Sequence, residues 1–320
     1  MTMKKILITG ASGFTGGYLS EYLHSQNKFE IIGTYRSERS LLNSPVKEKI
    51  QFKKIDLIDP QSVFNLVREI KPDYIFHLAA ASAPSESFKD PLKTFQTNVN
   101  AEINILQAMQ KNNLLRSKIL IISSCEVYGY VKPDDLPVNE MTQLRPSTPY
   151  AVSKVTQDYL GLQYYLAYKL QCVRARPFNH IGPRQSSRFV VADFSRQIAQ
   201  IEKGKKEPVI HVGNLEAKRD FTDVRDIVKA YLLLIENGIP GEVYNIGSGI
   251  SHSAKEILDI LLERSSCKIT IKINPDKMRP SDMPDIICDN KKLIDLTGWK
   301  PEIPLKQTLA DTLDYWRNIV

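Results

Sequence analysis

Four residues of this 320-residue chain carry side chains suited to acid–base chemistry. They are Ser124 and Glu126 in the stretch SSCEVYG, and Tyr150 and Lys154 in the stretch YAVSK. A Tyr and a Lys four residues apart share one helical face, with Cβ atoms about 5–6 Å apart. A phenol is a poor base at neutral pH, and lowering its pKa by about three units takes about 4 kcal/mol of preferential phenolate stabilisation. A neighbouring ammonium and the positive end of a helix are two groups that could supply part of it. Ser124 could share the hydrogen bonds of a substrate oxygen. Glu126 has no place in an apolar run, so it is a base, a group that orients a ligand, or a surface carboxylate just past a strand.

These residues need elements to hold them. Ser124 closes the apolar run KILIISS, which reads as a buried strand. Tyr150 and Lys154 open a helix expected over 148–170, with Pro149 near its first position. Upstream, KKILITG, FEIIGTY, IQFKKIDL and DYIFHLAA read as strands. They alternate with helices over 14–25, from PQSVFNLVREI, and over 91–113. CVRARP is a sixth strand. Repeated β-α-β units with runs this apolar predict a parallel sheet covered by helices on both faces. After Pro177 the pattern changes. FNHIGPRQSSRF reads as loop, helices are expected over 189–203, 224–236, 253–264 and 304–318, and PVIHV, EVYNIG and KITIKI as short strands. Ser253 and Glu256 have the spacing of a capping box.

Between the first strand and the first helix lies TGASGFTGG, which places Gly10, Gly13 and Gly16 in the spacing GxxGxxG. In that context glycines let the backbone turn tightly and approach a pyrophosphate, while the helix start offers N–H groups and a positive dipole end. A dinucleotide is therefore the expected cofactor, and an oxidised nicotinamide would add to the positive field around Tyr150. The second strand ends GTYRSERS, without the acid that would hold the ribose hydroxyls of NAD. Arg36 and Arg39 could instead pair with a 2′-phosphate. NADP(H) is expected, with NAD(H) as the alternative. Asp56, at the end of the third strand, is placed to meet the adenine.

The bulk numbers fit one large α/β unit with a smaller companion. The chain is 42% hydrophobic and 25% charged, with a formal charge of +7 from scattered Lys and Arg. Scattered charge argues for a solvated surface and against nucleic-acid binding. No run is apolar enough to span a membrane, and the start lacks the pattern of a secretory leader. Cys125, Cys172, Cys267 and Cys288 are far apart and form no paired motif. Reduced thiols, no metal site and a cytoplasmic location are the expectations.

GASGFTG, HLAA, SSCEVYG and YAVSK together resemble the extended short-chain dehydrogenase/reductase family, of the NAD-dependent epimerase/dehydratase type. RARPFNHIGPRQ, GNLEAKRDFTDVRDIV and MRPSDMPDIICDNKKL look like the GDP-6-deoxy-D-mannose reductases and the related GDP-mannose 4,6-dehydratases. The resemblance implies a Rossmann-type doubly wound parallel sheet over 1–178, with later contributions from about 212–247. It also implies a smaller mixed α/β nucleotide-sugar domain over 179–211 and 248–320. Phe14, Thr15, Leu57, Ala79, Ala80, Ala81 and Asn98 would join the cofactor site. Ser85, Asn179, Phe189, Val190, Arg219, Arg279 and Asp282 would join Glu126 in the substrate site. Arg219 and Arg279 would sit on the diphosphate, Phe189 and Val190 beside the base, and Asp282 on the ribose or a neighbouring group. Two diphosphate charges suit planar bidentate donors. His180 is as readily a structural loop histidine as a substrate contact.

The resemblance also frames the question of Glu126. In the dehydratases this position is the base that removes the C5 proton beside a new C4 ketone, a step that suits a carboxylate. The reductases also resemble this chain in keeping a glutamate here, and need only hydride delivery to a 4-keto group and a proton from Tyr150. The favoured reading is NADPH-dependent reduction of GDP-4-keto-6-deoxy-D-mannose to GDP-D-rhamnose, with the 4,6-dehydratase as the alternative. A 4-epimerase and a non-catalytic dinucleotide sensor are weaker readings. A GDP-linked sugar is the expected partner. A homodimer is expected from the family, through helices 91–113 and 148–170, with Phe95, Ile105, Leu162 and Leu166 as candidate contacts.

Overall fold

The structure, a computed structural model, describes residues 3–42, 44–278 and 283–320, with the side chains of Arg39 and Leu42 outside that description. The first half runs β1 (Lys4–Thr9), α1 (Phe14–Ser25), β2 (Phe29–Tyr35), α2 (Glu38–Leu42), β3 (Gln51–Lys54), α3 (Pro60–Ile70), β4 (Tyr74–His77), α4 (Pro84–Ser87), α5 (Pro91–Phe95), α6 (Ala101–Lys111), β5 (Lys118–Ile122), α7 (Pro149–Tyr168) and β6 (Gln171–Pro177). The second half runs β7 (Asn179–Ile181), α8 (Val190–Glu202), β8 (Val209–Val212), β9 (Lys218–Asp223), α9 (Val224–Asn237), β10 (Val243–Ile246), β11 (Ser251–Ser253), α10 (Ala254–Leu262), β12 (Thr270–Ile273), α11 (Lys291–Thr297) and α12 (Leu305–Ile319).

Seven strands form one sheet in the order β10-β6-β5-β4-β1-β2-β3, and every pairing is parallel. Side chains alternate across it, as the period of a strand requires. Ile6 and Ile8 enter a core with Leu19 and Leu23 of α1 and Tyr231 and Leu234 of α9, whereas Leu7 enters a second core with Val63 and Val67 of α3, Ile105 and Met109 of α6 and Tyr164 of α7. This is the doubly wound parallel sheet that the apolar runs predicted. The strand order reverses between β1 and β4, and in open sheets a ligand lies beyond the strand ends at that reversal.

Several elements differ from expectation. The helix expected over 91–113 is broken by a π turn at Gln96–Asn100. The wider turn sends Asn98 into the interior, where Oδ1 accepts from the Ala81 amide at 2.7 Å and Nδ2 donates to Ser153 Oγ at 2.9 Å. These bonds compensate the irregular turn. Ile105, a candidate for a dimer face, is instead a core residue at 1% exposure. β3 stops at Lys54, and Asp56 turns the chain by accepting from the Ile58 amide. The stretch expected as a loop after Pro177 contains β7, which pairs with β9 in a three-stranded sheet completed by β11. Strands of three residues are too short to show a period. The return to the main sheet begins at α9, not near residue 212, because β8 pairs with β12 and β9 with β7 and β11. The capping box at Ser253 and Glu256 is present.

One buried ionic cluster joins the sheet to the helix that carries Tyr150. Arg174 and Arg176 sit two apart on β6 and so point to the same side. Arg174 Nη1 donates to Asp158 Oδ1 of α7 at 2.6 Å, and Arg176 Nε to Oδ2 at 2.8 Å. Arg176 Nη1 also donates to the Tyr128 hydroxyl at 3.1 Å, which in turn donates to Asn245 Oδ1 at 2.6 Å. Removing one partner of a buried pair leaves an uncompensated charge. Asp158→Asn is therefore expected to lower stability by about 3–5 kcal/mol, read from urea unfolding. A midpoint equal to that of the unaltered chain would contradict this.

Candidate active site

The glycine turn follows β1. Gly10 takes φ +70°, a conformation that favours glycine. A Cβ there would meet the Ala79 backbone at 2.9 Å, and a Cβ on Gly16 would lie 2.2 Å from the Gly10 carbonyl oxygen. The turn is thus drawn flat between the ends of β1 and β4, beside Ala79, Ala80 and Ala81. Gly13 is the N-cap of α1, and no side chain caps that end. A turn with glycine at its close approaches, leading to an uncapped helix start, fits a pyrophosphate. At the end of β2, Arg36 is exposed and pairs with no carboxylate among the described residues. Its charge fits a 2′-phosphate. Arg39 lies in α2, Asp56 is exposed past β3, and the Leu57 carbonyl is held by Asn104 Nδ2 at 2.9 Å.

Phe14 and Thr15 have side-chain partners of their own. Thr15 Oγ1 is 3.0 Å from His180 Nε2, and the rings of Phe14 and His180 stack with 6.2 Å between centroids. His180 Nδ1 is 3.2 Å from the Phe178 carbonyl oxygen, so the ring donates there and accepts from Thr15. Burial lowers its pKa. Of the two readings of His180, the geometry favours the structural one: both nitrogens are engaged.

Ser124 lies two residues past the end of β5 and caps the turn Cys125–Tyr128, its Oγ accepting from the Glu126 amide at 3.2 Å. The turn must end in glycine, since Gly129 takes φ +55° and a Cβ would fall 1.6 Å from the Arg145 carbonyl oxygen. Across from Ser124, α7 begins with Thr148 as N-cap and Pro149 in its first turn. Tyr150 and Lys154 are both buried. The Tyr150 hydroxyl lies within hydrogen-bonding reach of Ser124, and the field of Glu126 reaches it. Lys154 Nζ is 5.9 Å from the Tyr150 ring centre and donates to the Ile122 carbonyl oxygen at 2.8 Å. The structure therefore brings Ser124, Glu126, Tyr150 and Lys154 together.

The expectation that Lys154 and the helix end pull the phenol down is not met in the protein alone. Burial dominates and raises the Tyr150 pKa well above that of a free phenol, with Ser124 opposing and Glu126 and Cys125 adding to the rise. Tyr150 is thus held protonated. Burial likewise raises the Cys125 thiol, with the Glu126 charge adding to it.

The candidate substrate residues come from several segments. Asn179 begins β7, its Oδ1 3.9 Å from Cys125 Sγ and so beside the turn that bears Glu126. Arg219, on β9, donates through Nη1 to the carbonyls of Lys218 and Met283, both at 2.7 Å. Phe189 is the N-cap of α8 and Val190 its first residue, both half-buried. Ser85 is exposed on α4. Arg279 and Asp282 lie outside the described residues. Three supporting residues escaped the sequence reading. Ser87 accepts from the Tyr150 amide at 3.1 Å, Ser153 receives Asn98, and His77 bonds Thr9 Oγ1 at 2.8 Å. Ser153 and His77 lie inside YAVSK and HLAA, so those stretches held the signal. Among the described residues no group of His, Cys, Asp and Glu is placed to hold a metal.

The sheet order, the glycine turn and the Ser-Tyr-Lys geometry define the extended short-chain dehydrogenase/reductase class. A family model described as GDP-mannose 4,6 dehydratase matches residues 7–312, and the chain belongs to that family. It is 36% identical over 317 residues to the GDP-6-deoxy-D-mannose reductase of Pseudomonas aeruginosa, covering 99% of this chain and 98% of that protein. It is 27% identical over 352 residues to a GDP-mannose 4,6-dehydratase of Vibrio cholerae, covering 97% and 93%. The solved structure of RMD from Pseudomonas aeruginosa complexed with NADPH superposes with a TM-score of 0.87 at 35% identity, covering 99% of this chain and 100% of that one.

The glycine geometry generates one expectation. Gly16→Ala places a methyl against the Gly10 carbonyl, so the turn must open. The variant is expected to stay folded by circular dichroism yet weaken dinucleotide binding by about 100-fold, the loss of about 3 kcal/mol, in a fluorescence titration. Unchanged affinity would refute the cradle.

Proposed function

We propose that this chain is an NADPH-dependent reductase of the 4-keto group of a GDP-linked 6-deoxy sugar, forming GDP-D-rhamnose from GDP-4-keto-6-deoxy-D-mannose. The observation that carries the reading is the whole-length similarity to the Pseudomonas reductase. The protonation state of the site agrees with it, since a buried, neutral Tyr150 is the form that gives a proton to a developing alkoxide. Bound NADPH supplies a hydride equivalent for C4. Ser124 orients the carbonyl oxygen and Tyr150 donates the proton to it. The Lys154 ammonium then stabilises the phenolate left behind. Glu126 orients the sugar through hydrogen bonds. Arg219 and Arg279 serve the diphosphate, Asn179 the sugar nucleotide, Phe189 and Val190 the base, and Asp282 the ribose.

The dehydratase is the second reading, supported by the family model and by the nearness of Glu126 to Tyr150. Tyr150→Phe should lose about 10²–10⁴ in turnover. Glu126→Gln should lose about tenfold or less in keto-sugar reduction, in line with an orienting contact of about 1 kcal/mol. The unaltered chain should neither form the 4-keto-6-deoxy sugar from GDP-mannose nor exchange the C5 proton with deuterated solvent. Formation of that sugar without added reductant, stalled by Glu126→Gln, would make Glu126 the base and the chain a dehydratase.

The preference for NADPH rests on Arg36 and Arg39. Arg36→Ala should weaken NADPH by about 10–100-fold, the worth of one charge-assisted contact, and leave NADH unchanged. Equal losses for both cofactors would remove the 2′-phosphate assignment.

A homodimer through α7 is part of the same reading. Val152, Tyr159 and Leu166 are exposed at seven-residue intervals along one stripe of that helix, and Leu92 of α5 is also exposed. Such a stripe suits helix pairing about a two-fold axis. Tyr159→Glu combined with Leu166→Glu should give a monomer in light scattering, where the unaltered chain is a dimer. A dimer that survives both changes lies elsewhere.

A further inference from the structure

The buried face of α7 carries Tyr150, Lys154, Gln157 and Asp158. The reaction uses the first two, and the arginines of β6 hold the last. Gln157 faces a different partner. Its Nε2 donates to Glu102 Oε2 at 2.7 Å, and Glu102, on α6, is fully buried. The other oxygen of each group, Glu102 Oε1 and Gln157 Oε1, is also buried and has no hydrogen-bond partner among the described residues. Two orphan acceptors on a pair that already shares one bond call for a single hydrogen between them. A carboxylic acid supplies it: Oε1–H of neutral Glu102 donates to Gln157 Oε1, and both orphans are satisfied.

The charges around the pair support this. Burial raises the Glu102 carboxyl well above the carboxylate range, with Lys154 opposing, and burial lowers Lys154 while Glu102 raises it. The remaining titratable groups are accounted for. His77 of β4 is pushed down to about 3 by burial and by Lys154, so it is neutral. Cys172 of β6 and Tyr150 and Tyr164 of α7 are raised by burial and are neutral as well. Asp158 of α7 is bound by Arg174 and Arg176 of β6. Glu102 and Lys154 are left as the two groups of this face that lose protons as the pH rises.

We propose that Glu102 is a positioning residue for Lys154: an acid closed into a two-bond ring with Gln157, which lies one helical turn from Lys154 on the buried face of α7, and whose carboxylate, once formed, keeps Lys154 cationic. The proton goes to solvent, and the pair passes from a neutral acid beside an ammonium to a carboxylate beside an ammonium. The inference rests on the reading of Lys154 as the support of Tyr150.

Glu102→Gln keeps the volume and an amide pair with Gln157 but removes the acid. Without the Glu102 charge that raises it, Lys154 loses its proton at lower pH, and the alkaline fall of kcat is expected to move down by about one pH unit. A purely structural role would change amplitude and leave that limb in place, and an unmoved limb in a folded variant overturns the proposal. A second measurement needs neither variant nor substrate. In the unaltered chain with ¹³C at the glutamate carboxyls, one carboxyl should remain in the protonated position through neutral pH. If every glutamate ionises in the ordinary range, the proposal fails. Full turnover of Lys154→Met would overturn the role of Lys154, and the proposal with it, while leaving the carboxyl spectrum unchanged, so the two failures are distinguishable.

Discussion

Asp158 holds a buried negative charge between two arginines of the adjoining strand, and the active site is built outward from that pairing. A charge taken out of water must find fixed partners, and the partners here belong to three separate pieces of chain. Arg174 and Arg176 bring β6, Asp158 brings α7, and the Tyr128 hydroxyl brings the turn that bears Glu126. Asn245 of β10 closes the set through its bond from Tyr128. Asp158 is one helical turn from Lys154 and two from Tyr150. Its capture fixes the rotation of α7, and so the face on which Tyr150 meets Ser124 and Lys154 meets the Ile122 carbonyl.

Once α7 is fixed, burial does most of the chemistry. The same loss of water that raises the Tyr150 phenol lowers the Lys154 ammonium. Desolvation disfavours the charged form of each, so it drives acids and bases toward neutrality from opposite sides. Burial thus keeps Tyr150 a neutral phenol, while the Glu102 charge opposes the fall of Lys154. Ser124 shapes the site twice. Its hydroxyl caps the turn that carries Glu126, and the same group lies within reach of Tyr150.

The cofactor side is governed by backbone shape more than by side chains. Gly10 and Gly16 are needed because a Cβ on the first would meet the Ala79 backbone and one on the second the Gly10 carbonyl. Phe14 and Thr15, which open the helix, turn their side chains to His180 of β7. The helix start is thereby tied to the three-stranded sheet that also carries Asn179 and Arg219.

The sequence by itself determined the sheet, the glycine turn and the Ser-Tyr-Lys set. Each is written locally: apolar runs bounded by turns, glycines at fixed spacing between strand and helix, and two residues four apart on one helix. The two arginines of CVRARP stand in a strand legible in the sequence, but their partner lies on another element and has no local mark. Tertiary structure alone decided the rest. It turned Asn98 inward through a π turn, buried Ile105 in the core, made strands of stretches too short to show a period, and set the protonation of Tyr150. The physical reason is common to all four. Spacing along a chain encodes what a residue's neighbours in sequence require, whereas burial and charge pairing depend on which distant segments remove its water.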